Sequence, residues 1–487
     1  LHKNKVIVIG AGVAGMSTAA RLAAKGYSVT IIERNEYAGG KLGLLKKDDF
    51  TFDTGPSLFT QPYVLEQLFA DCGERLDTYL QYTRLAVNTH YFYEDGTALN
   101  AYHDHALLLN ELETKLHIDT AAVTSFLQDA ANAYQHIGGI FLDEPIHELH
   151  TWLSPRIPKA LSTLKWQYLF QSMHKYHKHQ LKHPKLVQLF DRFATYNGSN
   201  PYSAPAMLSM IAHLEMNEGA YYPNGGMRSI SNALVELNTK LGVDFIFNAK
   251  VDSIVADNKN MKGVIIGDKL LKADCVVSNS DIYYTYKTLL NDAGMAGRLQ
   301  KQERSSSAII FYWGIARQFE QLGLHNIFFS EDYKTEFDCI FKKKTVHHDP
   351  TVYINITSKM DANHAPQKCE NWFVLVNTPT SNFVDSDTIY AVRRATLDKL
   401  SRMLGIAVEE LLMTEEVLTP ADIDARTGSY LGALYGTASN NPFAAFMRHS
   451  NVSKKYKGLF LAGGTVHPGG GIPLCLRSGK LAADAVM

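Results

Sequence analysis

The stretch KVIVIGAGVAGMSTAARLAAKG, residues 5–26, constrains this chain more than any other. A short β-branched run ends on Gly10, and an alanine-rich helical pattern starts at once and stops at Gly26. Such continuous apolar runs mark buried parallel strands. SVTIIE, residues 28–33, reads as a second strand, so the opening is a βαβ unit. Gly10, Gly12 and Gly15 stand in a G-x-G-x-x-G spacing at the turn. The first permits the tight turn, the second lets backbone approach a pyrophosphate, and the third lets the helix pack closely. Val13 and Ala14 lie at the helix start, where N–H groups face the phosphate charge. Glu33 ends the second strand, placed to accept hydrogen bonds from a ribose diol. These residues predict a dinucleotide site. An acid at that position repels a ribose phosphate, which disfavours NADP and leaves FAD and NAD.

A second glycine-rich loop, Ala38-Gly39-Gly40-Lys41, follows, and then Asp53-Thr54-Gly55-Pro56-Ser57. The pair suggests backbone wrapped along an extended cofactor, with Arg34 and Lys41 near its phosphates. Nucleotide-like α/β pieces recur at three separated places, the last being the strand GLFLAGG and the helix that follows it. The expected fold is therefore α/β: a Rossmann-like cofactor domain with an inserted substrate domain of mixed sheet plus helices. Residues 1–100, 225–290 and 420–487 make up the discontinuous cofactor domain. Residues 101–224 form a helical segment for substrate and membrane contact, and residues 291–419 a sheet-containing substrate domain.

The glycine motif, Glu33, the AGGK loop and the DTGPS stretch together resemble the FAD-dependent amine oxidase and phytoene desaturase superfamily. YNGSNPYSAPAM (196–207), EGAYYPNGGM (218–227) and AGGTVHPGGGIP (462–473) are similar to bacterial carotenoid desaturases of the phytoene desaturase type. The resemblance runs along the whole chain. It implies FAD, with Gly40, Gly55, Pro56 and Ser57 against the cofactor, Val251 against the adenine, and Ser278 and Asn279 close by. It also implies that Gly464 and Thr465 meet the pyrophosphate and ribityl chain. Gly469 to Ile472, Gly471 among them, would approach the ring edge, and Pro473 would begin a helix aimed at the flavin C2 carbonyl. The implied substrate is a lipophilic carotenoid. Two hydrogens leave adjacent carbons, one as hydride to flavin N5 and one as a proton. The GGGIPLC ending resembles the hydroxycarotenoid 3,4-desaturases, which implies a 1-hydroxylated acyclic chain end. A phytoene-type desaturase, another amine oxidase-like flavoenzyme and a flavin-free lipid-binding chaperone of the same fold are the alternatives.

No second G-x-G-x-x-G is present, so reduced flavin must pass electrons to another carrier, such as oxygen or a quinone. His467, inside the C-terminal glycine loop, is the one weak candidate for an acid or base; it also suits a backbone hydrogen bond. Phe193, Tyr196 and Trp313 are candidates for a substrate tunnel. His174, His177, His179 and His183 lack the acidic partner of a zinc motif, so they are expected to be solvated and no metal is expected.

Composition bounds the partners. The 487 residues carry a net charge of −1, which argues against nucleic acid. Five scattered cysteines without a CxxC pair suggest reduced thiols and a cytoplasmic setting. The first strand begins near Lys5, leaving no room for a signal peptide, and the longest apolar run, residues 308–316, is too short to span a bilayer. From Leu149 to Phe190 the chain has no acidic residue but carries Arg156, Lys159, Lys165, Lys175, Lys178, Lys182 and Lys185. Ile157, Leu161, Leu164 and Tyr168 fall at helical spacing there, with Trp152 and Trp166 nearby. Such a segment suits peripheral attachment to an anionic membrane surface.

Overall fold

The computed structural model describes residues 4–163, 165–441 and 448–486. Its first sheet has five strands in the order Leu459–Leu461, Cys275–Ser278, Lys5–Ile9, Ser28–Ile32 and Asp244–Ile246. All four pairings are parallel, with Ile7 beside Val276 and Thr30. Val6 to Ile9 are all buried, because both faces of this sheet are covered. On one face the helix Val13–Ala24 packs against the C-terminal helix Ile472–Val486. Their approach is close enough that a Cβ on Gly479 would stand 2.6 Å from the Ala14 carbonyl oxygen. Ser17 and Thr18 use it to donate to the Leu476 and Gly479 carbonyls at 3.0 and 3.1 Å. On the other face lies a small antiparallel sheet, Ser253–Asp257, Asn260–Ile266 and Lys269–Lys272.

A second sheet has seven strands, in the order Leu412–Leu418, Ser307–Ile315, Glu370–Thr378, Val352–Asn355, His325–Phe328, Val87–Phe92 and Ala98–Tyr102. Only the His325–Phe328 and Val87–Phe92 pair is parallel. Its last two strands come from residues 87–102, a stretch that sequence reading divides at residue 100 and assigns mainly to the cofactor domain. Pairing with the His325 strand draws them into the seven-stranded sheet. One sheet face packs under the helix Ser386–Leu404. Trp313 lies on that face, its indole N–H bonded to Glu415, and so not on a tunnel wall. Side chains alternate along a strand, and Ile310, three positions earlier, takes the opposite face.

Residues 105–216 build a mainly helical layer against the edge of that sheet. Its core is aromatic, with Phe126 edge-on to Phe190 at 4.7 Å between ring centroids. Phe193 sits in this core rather than on a tunnel wall. The acid-free stretch folds as a succession of short helices, Leu149–Trp152, Arg156–Thr163, Trp166–Phe170, Met173–Leu181 and Pro184–Asp191, the last of which ends just past it. Leu164 lies outside the described residues, and the Leu161 side chain does too. Tyr168 turns inward against Tyr176, whereas Leu149, Leu153, Trp166 and Phe170 each expose about three quarters of their surface. Of the four nearby histidines only His179 is exposed; His174 and His183 are half-buried and His177 is buried. His174 and His177 place their Nδ1 atoms 2.6 and 2.7 Å from the two oxygens of the buried Asp191 carboxylate. They are structural partners of an acid that sequence spacing did not associate with them.

Candidate active site

The two sheets and the helical layer enclose a cavity of about 540 Å³. Its wall begins at the first glycine turn. Gly12, Val13 and Ala14 line it, as do Gly40, Lys41, Gly55, Pro56 and Ser57. The second loop folds back onto the first: Gly39 N donates to the Ala11 carbonyl at 2.8 Å. Asn279, Gly464, Thr465, Gly471, Ile472 and Pro473 complete this part of the wall. The amino-terminal turn and the C-terminal glycine loop are therefore adjacent. Asn279 links them, accepting from Gly15 N at 3.1 Å and donating to the Ala462 carbonyl at 2.9 Å.

Other predicted residues stand behind the wall. Gly10 and Gly15 make the turn itself; a Cβ on Gly15 would lie 2.3 Å from the Gly10 carbonyl oxygen. The Glu33 oxygens each accept a backbone N–H, from Ala11 at 2.8 Å and from Asn35 at 2.9 Å. Each oxygen keeps a second lone pair. Val251 packs with Ile7, Ile9 and Ile32, just after residues that bond the carbonyls of Glu33 and Asn35. Ser278 is buried and its hydroxyl pairs with that of Thr285 at 2.8 Å. Arg34 does not line the cavity; it donates to the Ala425 carbonyl at 2.8 Å. Lys41 does line it, but its ammonium donates to the Leu434 carbonyl at 2.7 Å, and burial pushes its pKa down.

Within the C-terminal loop the glycines serve different ends. A Cβ on Gly470 would press on Tyr435 at 3.1 Å, and one on Gly469 would meet the Arg448 side chain. Only Gly471, at φ +108°, faces open space with nothing within 4 Å. His467 is buried and lines the cavity, with Nε2 3.0 Å from the Glu144 carbonyl. A carbonyl only accepts, so Nε2 carries the proton and His467 is a backbone donor. Burial lowers its pKa to about 4, keeping the ring neutral.

Three wall residues carried no sequence signal. Arg448 is buried with its guanidinium donating to the carbonyls of Tyr435, Gly464 and Thr437, and burial lowers its pKa to about 10. Asp281 accepts from Tyr283 N and Tyr430 N, and burial raises its pKa. Arg192 pairs with Glu215 at 2.9 Å, both buried. Burial works to raise the Glu215 carboxyl, but Arg192 and the hydroxyls of Tyr196 and Thr89 outweigh it and hold it below its usual range. Tyr196 lines the cavity, as its sequence position suggested. The remaining wall is largely apolar: Ile310, Ile327, Phe373 and Leu375 from the second sheet, and Met210 and Leu214 from the helical layer.

The model of the flavin-containing amine oxidoreductase family matches residues 13–487. The chain is 44% identical to the 1-hydroxycarotenoid 3,4-desaturase of Flavobacterium sp. (strain P99-3), across 99% of each chain. It is 33% identical to the 4,4'-diapolycopene oxygenase of Methylomonas sp, across 99% of this chain and 98% of that one. Among solved structures, putrescine oxidase bound to putrescine superposes with a TM-score of 0.63 at 15% identity, covering 99% of both chains. Cyclohexylamine oxidase from Brevibacterium oxydans IH-35A gives 0.60 at 16%, covering 99% of this chain and 98% of that one. At such identities the likeness is one of fold. The βαβ turn, the C-terminal glycine loop beside it and the match along nearly the whole chain agree: this protein is a member of the flavin-containing amine oxidoreductase family.

Proposed function

We propose that the chain is an FAD-dependent carotenoid desaturase that introduces the 3,4 double bond into an acyclic 1-hydroxycarotenoid. One observation carries the reading: a single cavity runs from the glycine turn to a largely apolar wall of sheet and helix. A hydrophobic chain and a flavin would meet in it. The residues fit that cofactor. Gly12 and Gly471 present bare backbone to the cavity, and space stands where a Cβ of Gly471 would project. Glu33 keeps acceptor capacity beside the first turn, and the helix starting at Ile472 points its free N–H groups toward the same space. When bound, the flavin supplies the hydride acceptor.

The chain's own residues do the rest. Gly12 to Ala14 and Gly40 to Lys41 would hold the diphosphate. Asn279 keeps both gripping loops in register. The wall of Ile310, Phe373 and Leu375 excludes water and aligns the polyene. His467 is committed to a carbonyl and serves position rather than proton transfer. The outward Leu149, Leu153, Trp166 and Phe170, beside Arg156, Lys159 and Lys165, form the surface by which the protein sits peripherally on the cytoplasmic face of a membrane. Among the described residues no helix is long and apolar enough to cross one. Oxygen or a quinone would serve as the electron acceptor, since the sequence carries no second G-x-G-x-x-G for a nicotinamide.

The test is incubation of flavin-loaded protein in liposomes with phytoene and with a 1-hydroxylated acyclic carotene. Loss of two hydrogens from the hydroxylated chain supports the reading. Conversion of phytoene alone, or oxygen incorporated into the product, overturns it. Protein that takes up no flavin would favour a lipid-binding module.

A further inference from the structure

Among the described residues that line the cavity, only two have a buried side-chain nitrogen with no hydrogen-bond partner: His325 Nε2 and Arg192 Nε. Both belong to one polar region of an otherwise largely apolar wall. His325 starts the strand that pairs with Val87–Phe92, in a register that puts Thr89 next to it. Thr89 in turn donates to Glu215, the partner of Arg192.

The protonation of His325 follows from its neighbours. Its Nδ1 lies 2.7 Å from the Tyr353 hydroxyl and 3.2 Å from the Asn355 side-chain nitrogen. That nitrogen also donates to the Leu324 carbonyl at 3.0 Å, which identifies it as the amide NH2 group. An amide nitrogen only donates, so Nδ1 accepts and the neutral ring holds its proton on Nε2. The Tyr353 hydroxyl donates to Nδ1 and accepts from Ser57, 2.7 Å away. Burial lowers the His325 pKa to about 4, so the ring stays neutral at ordinary pH. The result is an N–H donor held in place by two partners, with no acceptor of its own. A buried unpaired donor carries a desolvation cost that a ligand acceptor recovers.

The charge balance limits that acceptor. Glu215 already neutralises Arg192, so an anionic ligand would find no free positive charge in that pair. A neutral oxygen fits. We infer that His325 Nε2, with Arg192 Nε on the same cavity wall, is the subsite that binds the hydroxyl of the substrate chain end and selects hydroxylated over unhydroxylated carotenes. This rests on the function proposed above and names the residues that would set its specificity.

The experiment compares the flavin-loaded wild type with His325→Leu and His325→Gln on an acyclic carotene and its 1-hydroxy derivative. Binding is followed by quenching of tryptophan fluorescence and turnover by product formation, with flavin content and circular dichroism checking the fold. Wild type should prefer the hydroxylated chain. His325→Leu should lose roughly tenfold or more of that preference, chiefly in Kd and KM. His325→Gln, which keeps an N–H donor, should retain most of it. A wild type that prefers the hydroxylated chain, with the preference intact in His325→Leu, overturns this subsite alone. A wild type indifferent to the hydroxyl overturns both the subsite and the substrate reading.

Discussion

Asn279 donates from its side-chain amide to the carbonyl of Ala462 at 2.9 Å, across 183 residues of chain. Through its other amide atom it accepts from Gly15 N at 3.1 Å. One side chain thus ties the first glycine turn to the strand that leads into the last glycine loop. Removing it with Asn279→Ala leaves the Gly15 N–H and the Ala462 carbonyl short of a partner. The expected cost is about 1–3 kcal/mol. Urea unfolding should show it, together with weaker flavin retention in gel filtration.

Gly12→Val should abolish flavin retention. A Cβ at this position would stand 2.6 Å from Asn279 Oδ1, and the rest of the side chain would enter the cavity. The flavin absorbance of the purified variant checks this. Stoichiometric flavin would count against the diphosphate assignment.

Glu336 gives a pH prediction. It lines the cavity, accepts from Thr351 N and the Thr351 hydroxyl, and burial raises its pKa to about 7. The folded state therefore holds a proton that the unfolded state releases near pH 4.5. Its contribution falls as pH rises from that value towards 7 and is flat beyond. The expected loss across the window is on the order of 3 kcal/mol. Glu336→Gln, which does not titrate, should remove that part of the slope when unfolding is measured between acid and neutral pH.

Trp166 and Phe170 stack at 5.6 Å between centroids and face outward. Replacing both with serine should leave thermal stability nearly unchanged, because neither belongs to a core cluster. Sedimentation with anionic liposomes should drop by roughly tenfold or more, since each buried aromatic contributes about 1.5–3 kcal/mol. Unchanged sedimentation would remove these residues from the membrane-facing surface.

Much of the first glycine turn and of the cavity wall it forms was legible in the sequence because its signals are local. The strand Lys5–Ile9, the spacing of Gly10, Gly12 and Gly15, and Glu33 lie within one βαβ unit, where each residue's role follows from backbone geometry a few positions away. The C-terminal glycines are readable for the same reason. Their individual tasks were not: Gly470 makes room for Tyr435, while Gly471 faces the cavity.

Local pattern failed where partners are remote. Nothing near residues 87–102 says that they join the seven-stranded sheet, because strand pairing is chosen by the strand across the gap. Arg34 and Lys41 read as residues near the phosphates; Arg34 instead donates to the Ala425 carbonyl away from the cavity, while Lys41 lines the cavity with its ammonium on the Leu434 carbonyl. His174 and His177 read as solvated until Asp191 is brought against them.

The sequence by itself determined the nucleotide-type α/β unit and its glycine turn, since these rest on short-range periodicity and spacing, and it pointed to the family through the resemblance of its motifs. Only the tertiary structure decided which polar groups face the cavity and which of them lack a partner. Burial and hydrogen-bond satisfaction depend on every segment packed around a group, and for His325 those segments include Ser57, Thr89 and Tyr353.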